Sequence, residues 1–183
     1  MVRAAGLIAF TLLVAGCGSS QKQAEGTSAC SPLVGGATTQ RLSPALASRE
    51  TMYLTDVDVE ARECSDRVVF SFRSATPGPG YNVSYEPAAT AKLEDGSGNP
   101  IEIDGSAYLV VRLTPAMTAE IVGEEVNPTY TGPRRVAGGG TRFVREVVKT
   151  GDFEAQVTWV IGLNEERPFT ATGSESELVV ELG

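Results

Sequence analysis

Apolar and polar residues alternate at a period of two along residues 51–183, and this pattern constrains the fold more than any other feature of the chain. Successive side chains of a β-strand point to opposite faces, so alternation predicts strands with one buried and one solvated face. Strands of this kind bury their apolar faces against each other. The sequence therefore predicts an all-β domain, a two-sheet β-sandwich of mainly antiparallel strands. The apolar residues predicted to share a face are Val57, Val59 and Ala61; Val68, Phe70 and Phe72; Tyr81, Val83 and Tyr85; Ala107, Leu109, Val111 and Leu113; Phe153, Ala155, Val157, Trp159, Ile161 and Leu163; and Leu178, Val180 and Leu182.

Turn-forming residues separate these runs at positions 63–66, 77–80 and 95–100. Residues 115–140 are rich in Gly and Pro and are predicted to form a long irregular connection, a kind of loop that is often functional or disordered. A short helix over residues 117–126 is an alternative there, weakened by Gly123 and by β-branched residues. No segment predicts a long helix.

The N-terminus has the pattern of an exported lipoprotein. Arg3 precedes an uncharged apolar run over residues 4–16, which is shorter than the roughly 20 residues that span a bilayer. The run ends in Val14-Ala15-Gly16-Cys17, which resembles a bacterial lipobox. The predicted organisation is a signal peptide over residues 1–16, a flexible tether over residues 17–50 lipidated (palmitate) at Cys17, and a domain over residues 51–183. We therefore expect the protein on the extracytoplasmic side of the cell membrane, held there by its lipid anchor. The alternative is an ordinary signal with an incidental cysteine.

Two further cysteines, Cys30 and Cys64, follow the predicted export signal. Pairing is the default in an oxidising compartment, so the sequence predicts a Cys30–Cys64 disulfide. Closing a loop of about 34 residues would stabilise the fold by roughly 3–4 kcal/mol in the chain-entropy model. Two unpaired thiols are the alternative.

Charge and composition exclude several classes of function. The net charge of −8 repels phosphate backbones, so we expect no nucleic-acid partner. The chain contains no histidine, which excludes a Ser-His-Asp triad and a His-ligated metal centre. No P-loop, G-x-S-x-G or zinc-binding spacing is present. The sequence predicts no catalytic residue, no metal and no cofactor, and it favours a binding module over an enzyme.

The adjacent Arg134 and Arg135, with Tyr130 nearby, are the candidate binding residues. Guanidinium groups suit the carboxylates and phosphates of cell-wall polymers. The alternative is that both arginines pair with carboxylates of the same domain. Two other features have a structural interpretation that we prefer. Trp159 shares the apolar face of its strand, which favours core packing over a sugar-stacking platform. The carboxylates at positions 56, 58 and 60 fit a solvated strand face better than a glycosidase pair.

Nine short segments occur in a fixed order across residues 53–182. They are Asp66-Arg67-Val68-Val69-Phe70, Pro79-Gly80-Tyr81-Asn82-Val83-Ser84-Tyr85, Tyr130-Thr131-Gly132-Pro133-Arg134-Arg135, Val144-Arg145-Glu146-Val147-Val148, Gly151-Asp152-Phe153-Glu154, Thr158-Trp159, Gly162-Leu163, Arg167-Pro168-Phe169 and Leu178-Val179-Val180. This ordered set resembles the AMIN-like domain family of bacterial secreted lipoproteins. Cys64 and the Leu182-Gly183 ending are less typical of that family.

The resemblance implies a β-sandwich that binds peptidoglycan or a neighbouring envelope protein and has no catalytic residue to carry over. The leading hypothesis is thus a membrane-anchored, non-catalytic envelope-binding module. Two alternatives stay open. One is a small carboxylate-dependent enzyme acting on envelope material through Glu120, Glu124 and Glu125. The other is a structural subunit of an envelope assembly, which a large exposed apolar patch would indicate.

The Cys17→Ala variant tests the anchor. Without the thiol that accepts the lipid, we expect a precursor that is not cleaved after Gly16 and is not lipidated. Mass spectrometry of the membrane-extracted protein measures both. A variant that is processed at the same bond and partitions into detergent like its parent would contradict the lipoprotein assignment.

Overall fold

The strands and the single helix belong to the residues that the structure, a computed structural model, describes: 30–31, 33–38, 41–42, 50–73 and 80–183. The predicted signal peptide and Cys17 lie outside these residues. In chain order the elements are β1 (Arg41–Leu42), β2 (Met52–Ala61), β3 (Asp66–Phe72), β4 (Tyr81–Tyr85), α1 (Ala88–Ala91), β5 (Ala107–Leu113), β6 (Ala116–Met117), β7 (Ala119–Val122), β8 (Glu125–Pro128), β9 (Arg135–Ala137), β10 (Val144–Phe153), β11 (Gln156–Leu163), β12 (Phe169–Gly173) and β13 (Glu177–Leu182).

Two sheets form the body of the domain, as the alternation predicts. A six-stranded sheet has the order β1-β4-β5-β11-β10-β9, and a five-stranded sheet has the order β12-β13-β3-β2-β6. The neighbouring strands are antiparallel except for the parallel pair β2 and β6. Strands β7 and β8 form a separate two-stranded hairpin. The all-β sandwich prediction is confirmed.

The main core fills the space between the sheets. Val68 and Phe70 from one sheet and Leu109 and Trp159 from the other have no exposed surface. Trp159 packs edge-to-face on Phe70, with ring centroids 6.1 Å apart, and on Tyr130, with centroids 5.5 Å apart. Aromatic pairs at these distances contribute roughly 0.5–1.5 kcal/mol beyond their buried area. The core interpretation of Trp159 is therefore confirmed.

The six-stranded sheet is also covered on its outer face. Residues 86–106, which join β4 to β5, fold back over that face and form a second apolar cluster with it. Ala91 and Ile103 of this cover pack on Val110, Val148 and Val160 of the sheet. Strands β5 and β11 are thus buried on both faces, which explains why their sequences contain nearly continuous apolar runs.

Residues 115–140 differ from the predicted irregular connection. They contain four short strands, β6 to β9, and the alternative helix over residues 117–126 is replaced by the β7–β8 hairpin. Ile121 lies opposite Val126 across this hairpin, and Gly123 has a φ of 64° at the turn. Cross-strand pairs of β-branched residues and a glycine at the turn both favour a β-hairpin over a helix. The sequence of β7 alone does not show this, because the preference depends on its pairing with β8.

The predicted apolar run from Phe153 to Leu163 is not one strand. Strand β10 ends at Phe153 and β11 begins at Gln156, with φ of 51° at Glu154 and 55° at Ala155 between them. A two-residue hairpin turn needs positive φ at both central residues. The alternation of apolar and polar residues contains no information about φ. Phe153 is consequently 63% exposed instead of buried. Ala61, at the end of β2, is exposed as well.

A disulfide joins Cys30 to Cys64, with the Cα atoms 5.3 Å apart. The described residues of the predicted tether continue along the domain after this bridge. Ala37 exchanges two backbone hydrogen bonds with Phe169, and β1 pairs with β4. Ala37 and β1 therefore pair with one strand of each sheet. The physical reason is that edge strands offer unpaired backbone groups to any neighbouring extended segment.

The buried carboxylate of Asp66 connects the two sheets. Asp66 begins β3 in the five-stranded sheet and has no exposed surface. Its Oδ1 accepts the Arg142 N–H at 3.1 Å, and its Oδ2 accepts the N–H groups of Phe143 at 2.5 Å and Val144 at 3.0 Å. These three donors lie at the entry to β10 of the six-stranded sheet. Hydrogen bonds to a charged acceptor contribute about 1.5–3 kcal/mol each, so the contact fixes where β10 begins.

We expect Asp66→Asn to destabilise the domain by about 2–3 kcal/mol, because a neutral amide accepts hydrogen bonds on one atom and loses the charge. Urea unfolding of the variant and its parent measures the change. Asp58→Asn is the matched control, because Asp58 is an exposed carboxylate of the same sheet. Its expected effect is within about 0.5 kcal/mol. Equal midpoints for both variants would show that Asp66 does not fasten the sheets.

Candidate functional site

A shallow groove lies on the outer face of the six-stranded sheet, where the end of the cover meets β9. We name it the Arg135 groove, and its volume is about 500 Å³. Its walls include Lys92, Glu102, Asp104, Tyr108, Arg135 and Glu146.

Opposite charges alternate around the Arg135 groove. Arg135 forms an ion pair with the buried carboxylate of Glu146, and its Nη2 donates to the Glu102 carbonyl oxygen at 2.8 Å. Glu146 Oε1 also accepts the backbone N–H of Asp104 at 2.6 Å. Lys92 Nζ lies 3.3 Å from Glu102 Oε2 and 5.8 Å from the centroid of the Tyr108 ring. The groove therefore presents both signs of charge beside an aromatic edge.

A second groove, of about 280 Å³, shares Tyr108 with the first; we name it the Tyr85 groove. Its lining includes Tyr85, Glu86, Ser106 and Glu166. Burial raises the pKa of Tyr85, whose hydroxyl bonds to the backbone of residue 167. Because both grooves share Tyr108, they form one extended surface along the cover.

Close packing fixes the position of the cover at this surface. Gly105 has a φ of 136°, and a Cβ at this position would lie 2.7 Å from the backbone N and O of Leu163 in β11. Only glycine fits that approach. The same turn places the Asp104 N–H on Glu146, so backbone geometry holds the groove wall.

The structure separates the three candidate binding residues predicted from the sequence. Tyr130 is buried at 8% exposure, donates its hydroxyl to the Pro133 carbonyl at 2.7 Å and packs on Trp159. Arg134 pairs with Glu94 at 2.6 Å, and Arg135 pairs with Glu146 in the groove. Both arginines thus have the intramolecular carboxylate partners that the structural alternative requires. Their role in binding a partner stays a prediction.

Two pKa shifts follow from these contacts. The hydrogen bond from Arg134 is the largest cause that lowers the pKa of Glu94, and Ser97 adds a second hydrogen bond. Burial raises the pKa of Tyr130, with smaller contributions from the carboxylates of Asp56 and Asp58. At neutral pH, Glu94 is therefore ionised and the Tyr130 hydroxyl keeps its proton as a donor.

Among the carboxylates considered for an enzyme, Glu60 and Glu120 are half-buried in ion pairs and the others are exposed. Glu124 and Glu125 are exposed in the β7–β8 hairpin, and Glu120 pairs with Arg73 at 2.7 Å. Asp56 and Asp58 are exposed on β2, and repulsion from Asp56 is the largest cause that raises the pKa of Asp58. A glycosidase acid is protected from solvent by a pocket, and these positions lie along exposed strands instead.

Sequence reasoning missed most of the groove and the Asp66 contact. Lys92, Glu102 and Glu146 carry no local signal, because the cover brings them together from distant parts of the chain. Two signals were available. The unbroken apolar runs of β5 and β11 indicate strands covered on both faces. Asp66 lies two residues before the apolar Val68 and therefore on the same face of the strand, which predicts that its carboxylate faces the core.

Among the described residues, no group of three His, Cys, Asp or Glu side chains is placed to hold a metal ion. No helix in the described part of the chain has the length and apolar character needed to cross a membrane.

The comparisons with known proteins give a family. The model of the AMIN-like domain matches residues 52–183, which is nearly the whole of the sandwich. No curated protein matches the chain, and no solved structure matches it.

The two adjacent arginines should differ in their effect on stability. Arg135→Ala leaves the buried Glu146 carboxylate without its cation, so we expect a loss of about 1–3 kcal/mol. Arg134→Ala breaks a pair in which the arginine side chain is 52% exposed, so we expect at most about 1 kcal/mol. Thermal and urea unfolding of both single variants measure the difference. Equal losses, or a larger loss for Arg134→Ala, would contradict this account.

Proposed function

The chain belongs to the AMIN-like domain family, and from this membership we propose that it is a non-catalytic binding module of the bacterial cell envelope whose ligand is cell-wall polymer. The observation that carries the proposal is the family match over residues 52–183. The extended surface formed by the Arg135 and Tyr85 grooves is the part of the domain that suits such a ligand.

The chemistry of that surface supports a polymer ligand. Peptidoglycan strands present hydroxyls, amides, carboxylates and amines in succession, so a matching surface needs donors and acceptors of both charge signs. The Arg135 groove supplies cations at Lys92 and Arg135 and carboxylates at Glu102 and Asp104. The Tyr85 groove adds Glu86 and Glu166 beyond Tyr108. Shallow adjoining grooves suit an extended chain better than a small enclosed substrate.

The proposed location follows from the N-terminal sequence. Signal cleavage after Gly16 and lipidation of Cys17 would hold the protein at the extracytoplasmic side of the cell membrane. The disulfide between Cys30 and Cys64 supports export, because structural disulfides belong to oxidising compartments.

The exposed β7–β8 hairpin favours a second candidate function, a subunit of an envelope protein assembly. Ile121 and Val126 face each other across the hairpin and are 58% and 64% exposed. Val122 of the same hairpin is also 58% exposed. Exposed apolar groups that cluster in this way mark interaction sites. Because Glu124 and Glu125 border them and form no ion pair among the described residues, the partner would be a protein with an apolar cleft bordered by lysine or arginine.

One experiment separates the two candidates. The purified protein is incubated with purified peptidoglycan sacculi and sedimented, and the same protein is crosslinked to its neighbours in intact cells. We expect Lys92→Ala with Glu102→Ala to weaken sacculus binding at least about fivefold, which corresponds to about 1 kcal/mol. Arg73→Ala with Glu120→Ala is the matched control, since it also removes one ion pair without changing net charge.

Each result identifies one candidate. A parent protein that stays in the supernatant contradicts the cell-wall ligand. Crosslinks that disappear in Ile121→Ser with Val126→Ser, while sacculus binding is unchanged or absent, identify the hairpin as the functional surface. Equal sacculus binding by the groove variant and its control would remove the grooves from the account.

A further inference from the structure

A third cavity, separate from the grooves, lies beside the disulfide at the point where the chain from Cys30 joins the domain. We name it the arginine pocket, and its volume is about 290 Å³. Cys30, Cys64, Arg142, Phe143, Arg167 and Pro168 contribute to its lining. We propose that this pocket binds a single oxyanion group, a carboxylate or a phosphate, held between the guanidinium groups of Arg142 and Arg167.

The charge of the pocket is the first argument. Arg142 and Arg167 line it together with Gly183, the last residue of the sequence, and no Asp or Glu side chain does. The chain as a whole has a net charge of −8, and the Arg135 groove places three carboxylates against two cations. An acidic protein that concentrates two guanidinium groups in one small cavity offers a local site for an anion. Arginine suits this task because its planar donors match the oxygens of carboxylate and phosphate groups.

Unused hydrogen-bonding capacity is the second argument. Among the described residues, Arg167 forms an ion pair with Glu165 through Nη2, and Arg142 forms none. Arg142 Nη1 contacts the Cys30 sulfur at 3.4 Å, and sulfur is a weak acceptor. The Nε of Arg167 is buried and has no hydrogen-bond partner in the described part of the chain. Arg142 therefore keeps guanidinium donors that a bound oxyanion would satisfy, and Arg167 adds its positive charge beside them.

Preorganisation is the third argument. The Arg167 guanidinium lies 4.4 Å from the centroid of the Phe143 ring, and the Tyr85 hydroxyl holds the Arg167 backbone at 2.8 and 2.9 Å. The Arg142 backbone N–H is held by Asp66, and its carbonyl accepts the Asn164 side-chain amide at 3.1 Å. Groups fixed before binding lose little entropy when a ligand arrives. The backbones of both arginines are thus held by hydrogen bonds, and the site does not depend on binding of cell wall by the grooves.

Two sources of oxyanion fit the position of the pocket. A soluble or polymer-attached carboxylate or phosphate would reach it from solvent. The headgroup of an anionic lipid would reach it if the anchor at Cys17 holds this end of the domain at the membrane. A volume of about 290 Å³ accommodates one such group.

The test is a titration of the isotope-labelled protein with inorganic phosphate and with N-acetyl-D-alanine at constant ionic strength, followed by NMR at the backbone amides of Cys64 and Phe143. We expect saturable shifts at these amides. Arg142→Ala should weaken binding about tenfold or more, because it removes one of two charged donors. The fold should be unaffected by this change, since Asp66 binds the Arg142 backbone. Arg167→Lys keeps the charge and the stem and should still weaken binding through the lost planar fork.

Arg145→Ala is the matched control, since Arg145 is exposed, carries the same charge and does not line the pocket. Its affinity should stay within about twofold of the parent, because solvent screens exposed charges. Flotation of the protein with phosphatidylglycerol vesicles identifies the source of the oxyanion. Flotation that is lost in Arg142→Ala indicates a lipid headgroup. Flotation that is unchanged in Arg142→Ala, together with a saturable titration, indicates a soluble group. Shifts that do not saturate, or that are equal in Arg142→Ala and Arg145→Ala, together with flotation that does not depend on Arg142, would overturn the proposal.

Discussion

The buried carboxylate of Asp66 is the contact on which the rest of the structure depends. It lies at the start of β3 and accepts three backbone N–H groups at the entry to β10, so one side chain ties the two sheets together. A buried charge is costly unless hydrogen bonds satisfy it, and three donors do so here. The donors belong to residues 142–144, so the same hydrogen bonds fix the backbone of Arg142 and Phe143. From there the Arg142 side chain contacts the Cys30 sulfur, and the Phe143 ring contacts the Arg167 guanidinium. The geometry of the arginine pocket is therefore a consequence of how the sandwich is closed.

The cover over residues 86–106 gives the domain its second apolar cluster and its grooves. A two-sheet sandwich normally leaves the outer face of each sheet solvated. Here Ile103 and Ala91 pack on that face, and Gly105 lets the cover approach β11. The polar residues at the margin of the cover then meet those of β9 and β10. The Arg135 groove is thus a boundary between a packed layer and a sheet edge, and its shallow form follows from that origin.

Most cations in the described part of this acidic chain are engaged by its own carboxylates. Arg112 illustrates the pattern, since its hydrogen bond to Glu86 is the largest cause that raises its pKa. Such pairs hold loops and strands in register and leave little free positive charge on the surface. The pair of arginines selected from the sequence belongs to this group, whereas Arg142, which no motif singled out, has no carboxylate partner among the described residues. The difference is that Arg134 and Arg135 each form an ion pair with a carboxylate. Which arginines form such pairs depends on the tertiary structure.

The alternation of residues 51–183 by itself determined the all-β class, the inward faces of β3 and β13 and the burial of Trp159, because each of these depends only on the period of a strand. The export pattern likewise predicted that Cys30 and Cys64 would pair. Tertiary structure alone decided that residues 154–155 form a turn, that residues 115–140 contain a hairpin, and that Tyr130 is a core residue. The tertiary structure also decided which lysines and arginines form ion pairs with carboxylates. These features depend on contacts between residues far apart in the chain, and local periodicity contains no information about which distant segments come together.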